Sequence, residues 1–282
     1  MNKVDNPEKD FSQQKYLADK IFYRSWVNTT APKAILLIIH GLGEHSGRYR
    51  AAAKFFCSHS LGVVCLDHLG HGLSPGKRGH VDSFSDYIKP VIELRDQIAM
   101  DYPEVPCFIL GHSMGGLIAA IYLTSYQEHF SGAIFSGAAL KLVEAPSKPL
   151  RCIVNMLSSV FPSVGLMRID GENVSRDPRV VAKYFEDPLV HHGLYSARLL
   201  RELLAAIEEL AQKVQQISLP VLIMHGDSDL LTSAEGSKDF ADKISSRDKK
   251  LRILAGLYHE ILNEPEREEL ISEIMLWINK RI

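Results

Sequence analysis

The sequence predicts an α/β protein in which helices flank a mostly parallel β-sheet, with a helical insertion between two of the later strands. Short apolar runs without regular polar alternation recur along the 282 residues, as is typical of strands buried on both faces. Segments with helical spacing of apolar residues lie between these runs, as in strand–helix–strand units. Between about residues 140 and 217 no such run is found, and a long amphipathic helix ends this part of the chain.

The predicted strands follow one another along the chain. Residues 21–27 mix apolar and polar side chains, as an antiparallel edge strand does. Six apolar runs follow, and we expect each to be a strand covered by helices on both faces. They span residues 35–39, 63–66, 107–110, 133–135, 221–224 and 251–254.

Two helices of the core and one of the insertion are predicted from spacing. Residues 84–100 carry apolar side chains three or four positions apart, and residues 114–126 are small and apolar, which is typical of a buried helix. The insertion holds several prolines and then apolar residues at Leu199, Leu203, Ile207, Leu210, Val214 and Ile217. We therefore expect a core formed by residues 1–139 and 218–282, covered by a helical cap of residues 140–217.

Composition argues against several classes of protein. The 32 basic and 34 acidic residues nearly cancel to a net charge of -2, whereas nucleic-acid-binding proteins usually carry a basic excess. The polar N-terminus predicts no secretory signal, and no apolar run is long enough to span a membrane. The scattered cysteines, Cys57, Cys65, Cys107 and Cys152, predict neither disulfides nor a metal site. A reducing compartment, the cytoplasm, fits them best.

A Gly-x-Ser-x-Gly motif at residues 111–115 predicts a catalytic nucleophile. In this motif the serine lies on a tight turn from a strand to a helix, and small neighbours let the chain bend there. The apolar run before it and the helix after it supply that context. Ser113 is therefore the predicted nucleophile of a serine hydrolase with the α/β-hydrolase fold. The alternative is an ordinary strand–helix turn that contains a serine.

The order of catalytic residues in this fold, serine, then acid, then histidine, selects the partners of Ser113. Asp227 and Asp229 follow the run at 221–224, and of the twelve histidines only His259 comes later. His259 is the predicted base. Asp229 is the favoured acid because it lies further into its loop, where its side chain can turn toward the histidine. Asp227, the alternative, is better placed to cap the turn.

Two backbone N–H groups are expected to bind the oxyanion of the reaction. One belongs to Met114, the residue after the nucleophile, and the other to a loop after an earlier strand. That loop begins His40-Gly41-Leu42-Gly43, where the glycines allow close approach of the backbone. The N–H of Leu42 is the predicted second donor.

Three segments resemble the monoacylglycerol lipase and lysophospholipase family of α/β-hydrolases. Residues 40–49, HGLGEHSGRY, resemble the oxyanion-loop signature of monoacylglycerol lipases, and residues 67–74 and 111–116 are also similar to this family. The resemblance extends over nearly the whole chain. It implies an esterase without a cofactor that acts on monoacylglycerols or lysophospholipids, with the catalytic and oxyanion residues named above.

The resemblance also implies residues that bind substrate. Glu44 and Arg48 match family residues that bind the glycerol end, although an ion pair that only holds the loop is an alternative role. Tyr184, in Tyr-Phe-Glu-Asp-Pro, matches a cap tyrosine that contacts the same end. Animal members carry a second histidine three residues after the catalytic one, whereas this chain has Leu262. This departure puts a strict preference for monoacylglycerols in doubt.

The predicted activity is hydrolysis of lipid monoesters through an acyl-enzyme. The alternatives are a lysophospholipase, a short-chain carboxylesterase or a thioesterase, and also a peptidase or a non-catalytic binding module of the same fold. The apolar segments 152–157 and 160–162 of the cap either pack on the core or make peripheral contact with a membrane.

Overall fold

The structure, a computed structural model, describes residues 11–143 and 146–282. Most of the polar N-terminus, for which no secretory signal is predicted, lies outside the described residues. Ten strands are found in the described ranges: β1 Gln13–Tyr16, β2 Phe22–Trp26, β3 Ala34–Ile39, β4 Leu61–Leu66, β5 Cys107–His112, β6 Gly132–Ser136, β7 Gly165–Met167, β8 Tyr195–Ser196, β9 Val221–Gly226 and β10 Lys249–Leu254.

Eight of these strands form one sheet in the order β1-β2-β4-β3-β5-β6-β9-β10. β2 pairs antiparallel with β1 and β4, and every pairing from β4 to β10 across the sheet is parallel. The mostly parallel sheet predicted from the apolar runs is therefore confirmed. The carboxyl ends of its parallel strands meet at one edge, which is where ligands bind in α/β proteins.

Helices cover both faces of this sheet. The described residues contain α1 Arg50–Ser58, α2 Ser85–Asp101, α3 Met114–Tyr126, α4 Lys148–Val160, α5 Pro178–Glu186, α6 Ala197–Lys213, α7 Ala234–Lys243 and α8 Arg267–Asn279. None of these helices combines the length and apolar character needed to cross a membrane.

β3 shows why a continuous apolar run predicts a central strand. Its side chains alternate between the two faces, since successive residues of a strand point to opposite sides. Ile35, Leu37 and Ile39 belong to the core cluster that also holds side chains of α2, α3, α6 and α7. Leu36 and Ile38 pack on the other face with α1 and α8. Because both faces of β3 are covered, its side chains are apolar at every position, and apolar residues do not alternate with polar ones.

Two predictions about the sheet edges are wrong. β2 is antiparallel, as expected, but it is not an edge strand, because β1 pairs along its outer side. All five residues of β2 are buried, including Arg24 and Ser25. β10 was expected to be buried on both faces, yet it forms the opposite edge, with exposed residues in its first half. There Lys250 and Arg252 pair with Glu273 of α8.

The predicted cap region contains α4, α5 and α6, and α4 packs against α6. The predicted helix through residue 217 ends as an α-helix at Lys213 and continues as one 3-10 turn, Val214–Gln216. β7 and β8 form a separate antiparallel pair here. Their two or three residues are too few to produce an apolar run. The action of residues 140–217 as a cap stays a prediction.

Candidate active site

Ser113 lies on the turn between β5 and α3, with φ 53° and ψ -122°. A positive φ is strained for a residue with a Cβ, so the surroundings must hold it. The Ser113 N–H donates to Ser136 O at 3.1 Å, and Ser113 O accepts from the N–H groups of Gly116 and Ala139, both at 2.9 Å. These bonds fix the turn that presents the hydroxyl.

The two glycines of the motif allow this turn to pack closely. A Cβ at Gly115 would lie 2.0 Å from Ile39 O, at the end of β3. A Cβ at Gly111 would lie 2.6 Å from Gly115 O. Side chains are thus excluded at both positions, and α3 begins directly against the central strands.

His259 and Asp229 are brought together from the loops after β10 and β9. His259 Nδ1 and Asp229 Oδ2 are 2.7 Å apart, and both side chains are buried. His259 and Ser113 line the same cavity. Within the described ranges no hydrogen bond joins these two side chains, a bond that often tightens only when substrate is bound.

Asp229 is held as a carboxylate by several donors. Its Oδ1 accepts from the N–H groups of Leu231 and Thr232 at 2.8 and 3.0 Å. Its Oδ2 accepts from Thr232 Oγ1 at 2.8 Å and lies 3.1 Å from His225 Nε2. Burial raises the pKa of Asp229, but the charge of His259 and these hydrogen bonds outweigh it, so the pKa lies below its ordinary value.

Asp227, the alternative acid, lies elsewhere. It is exposed, and its Oδ1 accepts from the N–H of Gly256 at 2.7 Å. This links the loops after β9 and β10, and the side chain takes no part in the contact between Asp229 and His259.

The surroundings of His259 favour its protonated form. Burial lowers the pKa of this histidine, but the charge and hydrogen bond of Asp229 raise it more, and Glu260 adds to the effect. The net pKa lies above the ordinary value. Since Nδ1 donates to Asp229, Nε2 is the nitrogen that remains to accept a proton.

The peptide between Gly41 and Leu42 is held by a neighbouring histidine. His40 Nδ1 donates to Gly41 O at 2.8 Å, and His40 Nε2 accepts from the N–H of His68 at 3.0 Å. Because a trans peptide directs its N–H opposite to its C=O, the Leu42 N–H points away from His40. In the described part of the chain neither this N–H nor that of Met114 donates to a protein acceptor.

Charged side chains gather at one end of the cavity. Arg48 binds Glu260 with two hydrogen bonds of 2.5 and 2.8 Å and Glu44 with one of 3.3 Å. Its guanidinium lies 5.0 Å from the ring centre of Tyr184. Glu44 Oε1 also accepts from the N–H of Gly41 at 2.5 Å. The ion pair considered for Glu44 and Arg48 is thus present, and both residues line the cavity.

The rest of the cavity is largely apolar. Its volume is about 380 Å³, within the range of small-molecule sites. It runs from Ser113 toward side chains of α3, α6, β7 and neighbouring loops, among them Leu117, Met167, Leu203, Leu204, Ile207 and Leu231. Within residues 11–143 and 146–282, no three His, Cys, Asp or Glu side chains are grouped to hold a metal ion.

Some residues of the site are not found by sequence reasoning. Glu260, Thr232 and His225 contact the predicted residues, but nothing in their spacing indicates this. The position of Glu260 directly after the predicted base is the one available signal. Leu262 packs in the core with α8 rather than lining the large cavity.

Comparison with known proteins identifies relatives over most of the chain. The family described as serine aminopeptidase, S33, matches residues 30–266. A monoacylglycerol lipase of Mycolicibacterium smegmatis is 37% identical over 259 residues, 92% of each chain. Human monoglyceride lipase is 33% identical over 93% of this chain and 87% of its own. The crystal structure of Paleococcus ferrophilus monoacylglycerol lipase superposes with a TM-score of 0.84, at 29% identity, over 93% of this chain and 99% of that one.

Proposed function

This chain belongs to the monoacylglycerol lipase family of α/β-hydrolases, and on that premise we propose that it hydrolyses lipid monoesters, with monoacylglycerols as the substrate class. One observation carries the proposal. Ser113, on its strained turn, lines the same cavity as His259, which is hydrogen-bonded to Asp229. A hydroxyl, a base and a carboxylate that orients the base are the parts that serine catalysis requires.

The proposed reaction proceeds through an acyl-enzyme. His259 Nε2 takes the proton of Ser113, whose Oγ attacks the ester carbonyl. The N–H groups of Leu42 and Met114 bind the oxyanion, and Asp229 stabilises the charged histidine. The alcohol leaves with the proton from His259. Water activated by the same histidine then releases the fatty acid.

The two ends of the cavity support a lipid ester. The apolar wall formed by α3 and α6 suits an acyl chain, because burial of each methylene contributes about 0.8 kcal/mol. We propose that Glu44, Arg48 and Tyr184 bind the alcohol end. Leu262 stands where animal members of the family carry a histidine, and it packs in the core instead of adding a polar side chain to this end.

Replacement of Ser113 by Ala tests the nucleophile. We expect kcat/KM on a monoacylglycerol to fall by at least about 10³-fold, as for other serine hydrolases without their nucleophile, and labelling by a fluorophosphonate to be lost. Ser125→Ala changes an exposed serine of α3 and should alter neither. Unchanged hydrolysis by a folded Ser113→Ala variant would refute the assignment.

A substrate panel separates the alternatives. Monoacylglycerols, lysophospholipids, short-chain esters, thioesters and aminoacyl peptides are compared by kcat/KM on the same preparation. We expect the long-chain monoacylglycerols to rank first because of the apolar wall. Cleavage of peptides alone, or no labelling by the fluorophosphonate, would overturn the lipid assignment.

We also propose peripheral contact with membranes through α4. Ile153, Met156 and Val160 share one side of this helix and are exposed, as is Phe161 beyond its end. An exposed apolar patch of this kind is typical of a lipid-contact surface. The cytoplasm remains the proposed compartment, supported by the buried free thiols of Cys57, Cys65 and Cys107.

A further inference from the structure

Two buried carboxylates face a single guanidinium at the alcohol end of the cavity. Glu44 and Glu260 are 4% and 5% exposed, and both bind Arg48. The charge of Arg48 holds the pKa of Glu260 below its ordinary value despite burial. Two carboxylates against one guanidinium give this cluster of Glu44, Arg48 and Glu260 a formal charge of -1.

Arg48 has little capacity for another anion. Three of its five N–H groups donate to the two carboxylates, and the ring of Tyr184 covers one face. The other charges that line the cavity offer no surplus of positive charge. Arg168 and Asp170 are both exposed and cancel, while His259 is already balanced by Asp229.

The cluster lies beside the proposed nucleophile. A Cβ at Gly41 would lie 3.0 Å from Glu44 Oε1 and equally 3.0 Å from Ser113 Cβ. Glu260 follows His259 directly in the chain. Both carboxylates line the cavity together with Ser113 and His259, so they lie at the end of the site where the alcohol would leave.

We propose that Glu260, through the net negative charge that it gives this cluster, determines the alcohol specificity of the site, so that it accepts uncharged polyol esters and rejects esters whose alcohol carries a phosphate. Hydroxyl groups can donate hydrogen bonds to the carboxylates. A phosphate dianion can only accept hydrogen bonds, and in a buried site the repulsion between like charges is weakly screened. The inference rests on the proposed function and decides between two of its alternatives, a monoacylglycerol lipase and a lysophospholipase.

The experiment compares two substrates with the same acyl chain, 1-monoacylglycerol and lysophosphatidic acid, below their critical micelle concentrations. The native protein should show a kcat/KM at least 100-fold higher for the monoacylglycerol. This factor corresponds to roughly a tenfold loss from repulsion of the phosphate by each of the two carboxylates. Glu260→Gln keeps the shape and one acceptor for Arg48 but removes the charge. It should lower the ratio of the two kcat/KM values at least tenfold, mainly through faster turnover of lysophosphatidic acid.

Two further variants complete the design. Glu269→Gln removes an exposed charge of α8 and should leave the ratio unchanged. Glu44→Gln removes the other buried charge and should lower the ratio as well, and it decides the matter if Glu260→Gln does not fold.

Several outcomes would overturn the proposal. A native protein that cleaves both substrates equally refutes it, as does a folded Glu260→Gln variant that loses activity on both in the same proportion. A simple structural role for Glu260 predicts that second result. Failure of the proposed function itself is recognised separately, since neither substrate would then be cleaved and Ser113→Ala would change nothing.

Discussion

At the scale of single residues, Asp229 shows how neighbours reverse the effect of burial. A buried carboxylate without partners would take up a proton, because desolvation disfavours the charged form. Thr232 donates its N–H to Oδ1 of Asp229 and its hydroxyl to Oδ2, and His259 and His225 also contact Oδ2. Asp229 therefore stays ionised, and its charge is what raises the pKa of His259.

The pH dependence of hydrolysis follows from this pair. His259 must be neutral to accept a proton, and its pKa lies above 6.5. We expect kcat/KM to fall as pH decreases, with a midpoint above 6.5. In Asp229→Asn the charge that raises the pKa is lost, so the midpoint should move to lower pH and the plateau should drop by about 10⁴-fold.

The measurement is kcat/KM on an uncharged monoacylglycerol from pH 5 to 9, with folding monitored by circular dichroism at each pH. A midpoint clearly below 6.5 in the native protein would contradict the role of Asp229. Asp227→Asn, in the neighbouring exposed position, is the control and should keep the native midpoint.

The sequence suffices for some of these residues and not for others. Ser113 lies in a local motif, chain order selects His259, and its position in the loop favours Asp229 over Asp227. Thr232 and Glu260 act through loops that meet only when β9 and β10 pair. Residue spacing in the sequence does not indicate which loops come together, so it does not predict these contacts.

At the scale of elements, the limits of sequence patterns are visible in the strands. The central strands are apolar on both sides because helices cover both faces, and these were predicted. β1 has the sequence QQKY and is mostly exposed, so it carries no apolar signal. β10 resembles a central strand over residues 251–254, but it lies at the edge of the sheet, where one side has no paired strand. Burial of a strand depends on sheet order, which short apolar runs do not encode.

The exposed side of α4 gives a prediction at this scale. Phe161→Glu places a charge in the apolar patch and should reduce cosedimentation with anionic liposomes several-fold, because a charged group is costly to bury in lipid. Activity on a dispersed short-chain ester should be unchanged. Equal liposome binding by the native and variant proteins would refute the membrane contact.

The chain offers a matched control for this experiment. Leu276 is 63% exposed, as is Phe161, but it belongs to α8, which packs on the opposite face of the sheet from α6. Leu276→Glu adds the same charge and should leave liposome binding at the native level.

At the scale of the whole molecule, buried histidines tie the stability of the fold to pH. His40, His68 and His71 lie together beyond the ends of β3 and β4, with ring centres 4.2 to 5.9 Å apart. Burial lowers the pKa of His68 to about 3 and of His71 to about 4, and the pKa of His40 is lowered as well. All three are neutral in the folded protein at neutral pH.

These shifts predict a loss of stability in mild acid. Below pH 6.5 the unfolded chain binds protons on these histidines while the folded chain does not, so each one lowers the free energy of unfolding by about 1.4 kcal/mol per pH unit. His259, whose pKa is raised, acts in the opposite direction but is a single group. We expect a net loss of at least about 2 kcal/mol between pH 7 and pH 5.

Urea unfolding at pH 7, 6 and 5 measures this effect in a range where carboxylates contribute little. His71→Gln, which keeps a donor for Leu69 O, should flatten the dependence, whereas the exposed His59→Gln should not. A free energy of unfolding that stays constant from pH 7 to pH 5 would contradict the assignment.

The order of the proposed catalytic groups along the chain has a consequence for biosynthesis. Ser113 and the proposed oxyanion loop precede β6, whereas His259 and Glu260 follow β10. A nascent polypeptide on the ribosome thus carries the proposed nucleophile long before it carries the proposed base. On this assignment, hydrolysis cannot begin until His259 has been translated and β10 has paired with β9. A truncated chain that ends before His259 would therefore be without hydrolase activity.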